Sequence, residues 1–244
     1  MTKRFLVFQH MDWEGPGKHL VRSAEIQGLH LDVIEVWQQT IPDLANYDGL
    51  IVLGGSPNVD QEARYPFLKA EKAVIREALE ADKPYLGFCL GHQLLADVLG
   101  LKVGLNSCRS VGFIEGHLTR HGRQHPLFQN LPSTMPLFKW HGQAVLPPVP
   151  KYIEILVTSR ECEVESISLK ESPHIIGLQF DNHAGSKDDV AIWIEGDRDW
   201  LSQPPEVDTS VVVADAVRHE THVGEQFELV FDNYMKLIAC KEAP

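Results

Sequence analysis

In the first hundred residues, short apolar runs alternate with stretches whose apolar positions recur every three or four residues. Arg4 to Gln9, Leu31 to Glu35, Gly49 to Leu53 and Tyr85 to Phe88 are compact and rich in β-branched or aromatic residues, which predicts strands. Lys18 to Gln27 reads as a helix between the first two. From Pro66 to Ala81, the residues Phe67, Leu68, Ala70, Ala73, Val74, Ala78 and Leu79 fall on one helical face. Leu90 to Leu99 resumes that spacing and stops at Gly100. Such alternation predicts a parallel sheet with right-handed crossovers.

From Gly112 to about Gln179 the pattern shortens to strand-like pieces: Gly112 to Leu118, Met135 to Lys139, Ile153 to Ser159, Ser166 to Leu169 and His174 to Gln179. These predict an antiparallel, hairpin-rich portion. Asp188 to about Leu201 and Val211 to Ile238 return to helical spacing across a Ser202 to Val207 break with two prolines. The expected fold class is α/β, a mostly parallel central sheet flanked by helices with a smaller antiparallel subregion. Residues 1–187 are expected to form the body, and 188–244 a helical extension of the same domain.

Composition narrows the function classes. A length of 244 residues with 43% apolar content supports one sizeable core. A net charge of -12 without a Lys/Arg stripe argues against nucleic acid. No apolar run approaches the roughly 18 residues of a membrane span. The run within MTKRFLVFQH ends at Gln9 and His10, too soon for a signal-peptide core. Cys89, Cys108, Cys162 and Cys240 are scattered with no C-x-x-C pair, so neither a zinc site nor a disulfide framework is expected. The expected setting is a reducing cytoplasm, with no metal or organic cofactor.

The candidate chemistry lies in Gly87-Phe88-Cys89-Leu90-Gly91, between a buried-type strand and a helix. A nucleophile on a sharp strand-to-helix turn needs a small residue on either side, because the backbone passes close to itself. The turn exposes the thiol at the carboxyl end of the sheet. The helix N-terminus beyond it supplies unpaired N–H groups that favour a thiolate and can hold an oxyanion.

With these residues in view, GFCLGHQLLADVLG resembles the nucleophile segment of class I, triad-type glutamine amidotransferases, including GMP-synthase-like members. Further similarities follow in chain order. Gly54 and Gly55 stand where the family has its oxyanion loop, and Val111-Gly112-Phe113 resembles its pre-strand glycine motif. Trp140-His141-Gly142 resembles its W-H-G turn at the active-site rim. Gly177-Leu178-Gln179-Phe180 is similar to the strand leading to the catalytic histidine, and FDNYMKLI to the closing helix. The resemblance implies a flavodoxin-like layout and attack by a thiolate on the glutamine side-chain amide, giving a γ-glutamyl thioester and ammonia. It implies Cys89 as nucleophile and the Gly55 and Leu90 N–H groups as oxyanion hole. Gly54, Gln93, Ser110, Val111 and Gly112 are implied around the glutamine. It also implies a separate ammonia-accepting synthetase as partner, since the chain has no room for one, and a homodimer is the pairing expected of solitary members.

One departure matters. Where the family reads Q-F-H-P-E, this chain reads Gln179-Phe180-Asp181-Asn182-His183, an acid at the base position and a histidine at the acid position. Three readings stay open. His183 reaches Cys89 as base with Asp181 orienting it, by exchanged roles or a bulged loop. The site hydrolyses another γ-glutamyl compound. Or catalysis is lost and a binding or regulatory protein remains. Of the other histidines, His92 is expected to be structural. His117, His121 and His125 are expected in a solvated turn, and His219 and His222 on a charged helix face.

Overall fold

The computed structural model describes residues 2–242. Five strands form a parallel set: β1 (Arg4–Gln9), β2 (His30–Glu35), β3 (Gly49–Val52), β4 (Tyr85–Phe88) and β9 (Ile175–Leu178). The other four run antiparallel: β5 (Val103–Leu118), β6 (Thr134–Val145), β7 (Ile153–Ser159) and β8 (Ser166–Leu169). All join one nine-stranded sheet in the order β2-β1-β3-β4-β9-β8-β7-β5-β6. The antiparallel wing is thus only one strand smaller than the parallel part.

Side-chain alternation divides the core between the two faces. Phe5 and Val7 of β1 face one cluster with Ile51, Phe88 and Leu178, while Leu6 and Phe8 face another with Leu50, Val52 and Tyr85. Helices α1 (Gly17–Ile26) and α6 (Thr209–Glu242) cover the first face, where α6 contributes Phe227, Phe231 and Tyr234. Helices α2 (Phe67–Glu80) and α3 (Leu90–Val98) cover the second through Leu68, Ile75, Leu94 and Leu95. Each fully buried Leu or Phe contributes about 1.5–3 kcal/mol, so both faces are firmly held. A third cluster of Phe138, Trp140, Trp193, Leu201 and Val212 packs α4 (Lys187–Gly196), α5 (Arg198–Leu201) and the start of α6 onto β6.

The antiparallel wing differs from expectation in detail. β5 and β6 pair along most of their length, with an irregularity between Leu105 and Ser110. That pairing carries Trp140-His141-Gly142 into β6, so the segment is strand and not turn. His117 likewise lies in β5, half-exposed, and only His121 sits in an exposed turn. His125 is buried instead of solvated: it accepts from the Leu127 N–H at 3.2 Å, and burial pushes its pKa down to about 4. His219 stacks on Phe113 at 5.3 Å, and His222 contacts Gln226. Among the described residues no helix is long and apolar enough to cross a membrane.

Candidate active site

The loops after β1, β3, β4 and β9, four successive strands of the sheet, meet at their carboxyl ends, where open α/β sheets bind ligands. Cys89 follows β4 directly and begins α3 with φ 45° and ψ −102°, a conformation L-residues rarely adopt. Its N–H is tied to the Leu178 carbonyl at 2.8 Å, which fixes the elbow to β9. A Cβ on Gly87 would stand 2.6 Å from the Gly91 carbonyl carbon, and one on Gly91 2.1 Å from the Val52 carbonyl oxygen. Glycine on both sides is therefore a steric necessity. The Cys89 Sγ lies 3.8 Å from the Trp140 carbonyl, and the Leu90 N–H faces the sulfur.

The loop after β3 is held from behind. His10 donates from Nδ1 to the Gly54 carbonyl at 2.7 Å, and its Nε2 lies 3.0 Å from Glu71 Oε1, both side chains being buried. Burial alone would push His10 down, but the Glu71 carboxylate and the Gly54 carbonyl raise it above its ordinary value. In a trans peptide the C=O and the following N–H point in opposite directions, so the Gly55 N–H is directed away from His10. Gly55 itself lines a cavity of about 280 Å³ that also meets Glu14, Cys89, Gln93, Trp140, His141 and Asp197.

Two carboxyls crowd the thiol. The position a Cβ would take on Gly54 lies 3.4 Å from Cys89 Cβ, 3.5 Å from Asp181 Oδ1 and 3.9 Å from Glu14 Oε2. Both acids are buried, and Glu14 Oε2 and both Asp181 oxygens lack hydrogen-bond partners. Burial raises Glu14 well above the carboxylate range, with Asp197 and Asp181 adding to it. Asp181 is raised too, chiefly by burial, against the pull of His183 and Lys139. Burial and then the charges of Asp181 and Glu14 push the Cys89 thiol well above its ordinary value. The resting group is a thiol in acidic company.

Among the hydrogen bonds of the described residues none joins His183, expected as base, to that thiol. Its Nδ1 donates to the Pro16 carbonyl at 2.8 Å, and its Nε2 stands 3.5 Å from Asp181 Oδ1. The ring is wedged between Phe88, at 4.3 Å between centroids, and Trp193, at 6.3 Å. Asp181 Oδ1 and Cys89 Cβ thus flank the same Gly54 position, and His183 faces Asp181. A Cβ on Gly17 would fall 2.5 Å from the His183 carbonyl oxygen, so the loop carrying Glu14 is pressed against the turn carrying His183.

Of the residues expected around a substrate, Gln93 lines the cavity, donating to the Gln143 carbonyl at 2.9 Å and Gln179 Oε1 at 3.1 Å. Gly54 lies beside it. Ser110, Val111 and Gly112 are not brought there: Ser110 bonds Glu161 at 2.7 Å, Val111 packs into the third cluster, and Gly112 faces Val212. From β5 it is Leu105, on the other side of the strand's irregularity, that lines the cavity. His92 is structural, buried against Gly177 with its pKa pushed down to about 3 by burial and Lys139. Glu14, His10, Glu71 and Asp197 were not anticipated. Only the acid in Trp13-Glu14-Gly15-Pro16-Gly17, directly after a parallel strand, could have signalled one of them. Asp197 Oδ2 accepts from Trp140 Nε1 at 2.7 Å at the cavity rim. Among the described residues no group of three or more His, Cys, Asp or Glu could hold a metal ion.

Comparison with known proteins agrees with this layout. The family model of the class-I glutamine amidotransferases matches residues 17–183. A glutamine amidotransferase-like protein of Salmonella typhimurium, YfeJ, is 29% identical over 167 residues, covering 66% of this chain and 68% of the relative. A glutamine-hydrolysing GMP synthase subunit from Methanocaldococcus jannaschii is 33% identical over 130 residues, 53% of this chain and 62% of the relative. A solved glutamine amidotransferase of Thermotoga maritima superposes with a TM-score of 0.85 at 24% identity, covering 98% of this chain and 99% of that one. On the family match, the nucleophile segment and the fold together, the chain belongs to the class I glutamine amidotransferase family.

Proposed function

We propose that the protein hydrolyses the side-chain amide of glutamine, or of a closely related γ-glutamyl compound, through a thioester on Cys89. Asp181 is the proton acceptor in the place of the family's histidine. The observation that carries this reading is the elbow at Cys89, opening on a cavity with the Asp181 carboxyl across Gly54. A thiol surrounded by acids is not a stored thiolate, so its proton must leave as the carbon–sulfur bond forms. Asp181, raised by burial, is a stronger base than an exposed carboxylate. The Leu90 and Gly55 N–H groups are the donors assigned to the developing oxyanion. His183 is then a positioning residue, fixed by the Pro16 carbonyl with its Nε2 facing Asp181 Oδ1 at 3.5 Å. The relatives named as glutamine-hydrolysing GMP synthase subunits support a separate synthetase as the acceptor of the ammonia.

The test is glutamate release from glutamine. Cys89→Ala is expected to abolish it and Asp181→Asn to lower kcat by roughly 10²–10⁴-fold, the usual share of general acid–base catalysis. Hydrolysis that survives Asp181→Asn unchanged, or none at all from well-folded wild type, contradicts the reading.

A further inference from the structure

Asp181 takes the thiol's proton, but of the two acids it is Glu14 that lines the cavity where the departing nitrogen must find a donor. His183 cannot supply one, since its Nδ1 is engaged with Pro16 and its Nε2 faces Asp181. Ammonia leaves a tetrahedral intermediate as a neutral molecule only if a proton reaches it. We infer that Glu14 is a further catalytic residue, the general acid that protonates the leaving amine and then the general base that activates water.

Three observations meet on this side chain. Glu14 lines the same cavity as Cys89. Its Oε2 lies 3.9 Å from the Gly54 point around which Cys89 Cβ and Asp181 Oδ1 also gather. It is only 4% exposed, yet Oε2 has no hydrogen-bond partner, which is costly for a buried carboxyl unless a ligand completes it. Burial and two neighbouring acids keep it protonated beyond the ordinary carboxyl range, as a donor requires. Glu14 precedes the residues 17–183 that match the family model, so its role is not inherited from that match.

The protons balance. At rest Cys89 is a thiol, Asp181 a carboxylate and Glu14 a carboxylic acid. As sulfur attacks the amide carbon, the thiol proton passes to Asp181. When the C–N bond breaks, the Glu14 proton passes to nitrogen and ammonia departs, leaving a thioester, protonated Asp181 and the Glu14 carboxylate. Water then loses a proton to Glu14 as its oxygen bonds to the acyl carbon, and the C–S bond breaks with the Asp181 proton returning to sulfur. The acid is released and the starting state is restored.

This rests on the proposed nucleophile, so the test separates the two. Glutamine is compared with the γ-(4-nitrophenyl) ester of glutamate, whose leaving group needs no proton. Glu14→Gln is expected to lower kcat/KM for glutamine by roughly 10²-fold or more, while the nitrophenolate burst stays within about threefold of wild type. Glu14→Asp should fall between, and both variants should keep the wild-type thermal transition to within a few degrees. Equal losses on ester and amide, or an undiminished amide rate, overturn the assignment to Glu14 alone. Nitrophenolate release that persists undiminished in Cys89→Ala removes the nucleophile and Glu14 with it.

Discussion

Cys89 keeps its side chain where glycine would be at ease, and that conflict carries information. A φ of 45° costs an L-residue of the order of 1–3 kcal/mol, and the cost is borne only because Gly87, Gly91 and the bond to Leu178 fix the turn. Elsewhere an alanine-to-glycine change lowers stability by loosening the unfolded chain. Here the sign should reverse: Cys89→Gly should be more stable than Cys89→Ala by about 1 kcal/mol in urea unfolding. An alanine variant equal to or more stable than the glycine variant would show that the turn is not strained. The nucleophile was legible in the sequence because its requirements are local, with glycines two residues away on either side. Glu14 and the true direction of His183 were not. The Pro16 carbonyl that holds His183 is 167 residues away in sequence, and no spacing rule reports a contact of that length.

At the scale of elements, the antiparallel wing beside the elbow is held by charges as well as by packing. Lys139 of β6 and Glu165, just before β8, form a fully buried ion pair beneath the site, and Ser159 donates to the free carboxylate oxygen at 2.6 Å. The Lys139 charge also eases Cys89 and Asp181 toward their ionised forms. Lys139→Met would leave Glu165 buried without its partner, which costs about 3–5 kcal/mol. Thermal unfolding should record that loss, and a paired Lys139→Met, Glu165→Gln change should recover much of it. If the single variant is as stable as wild type, the pair contributes nothing to the wing's stability. The strands of the parallel part were readable from apolar runs. The extent of β5 and β6 was not, because their outer positions are polar or glycine and their pairing is set by each other's register. Ser110 to Gly112, placed at the substrate by the resemblance alone, lie along this wing.

At the scale of the whole molecule, four successive strands deliver an acid, a glycine loop, a thiol and a second acid to one rim. Strands β1 and β4 are separated by β3 in the sheet and by some eighty residues of chain. A carboxyl after the first and a thiol after the other therefore become partners only when the sheet forms. The resulting site carries an acid, Asp181, where the family's pattern places an imidazole. Asp181 thus acts on Cys89 in two opposed ways, raising the thiol's pKa by its charge and accepting the proton during attack. The most direct measurement is the effect of Asp181→Asn on two rates in the same preparation: iodoacetamide alkylation of Cys89, followed by peptide mapping at neutral pH, and glutamate release from glutamine. Removing the carboxylate should speed alkylation by roughly three- to tenfold, because more thiolate is present, while hydrolysis falls sharply for want of an acceptor. If hydrolysis survives Asp181→Asn undiminished, Asp181 is not the base that serves Cys89.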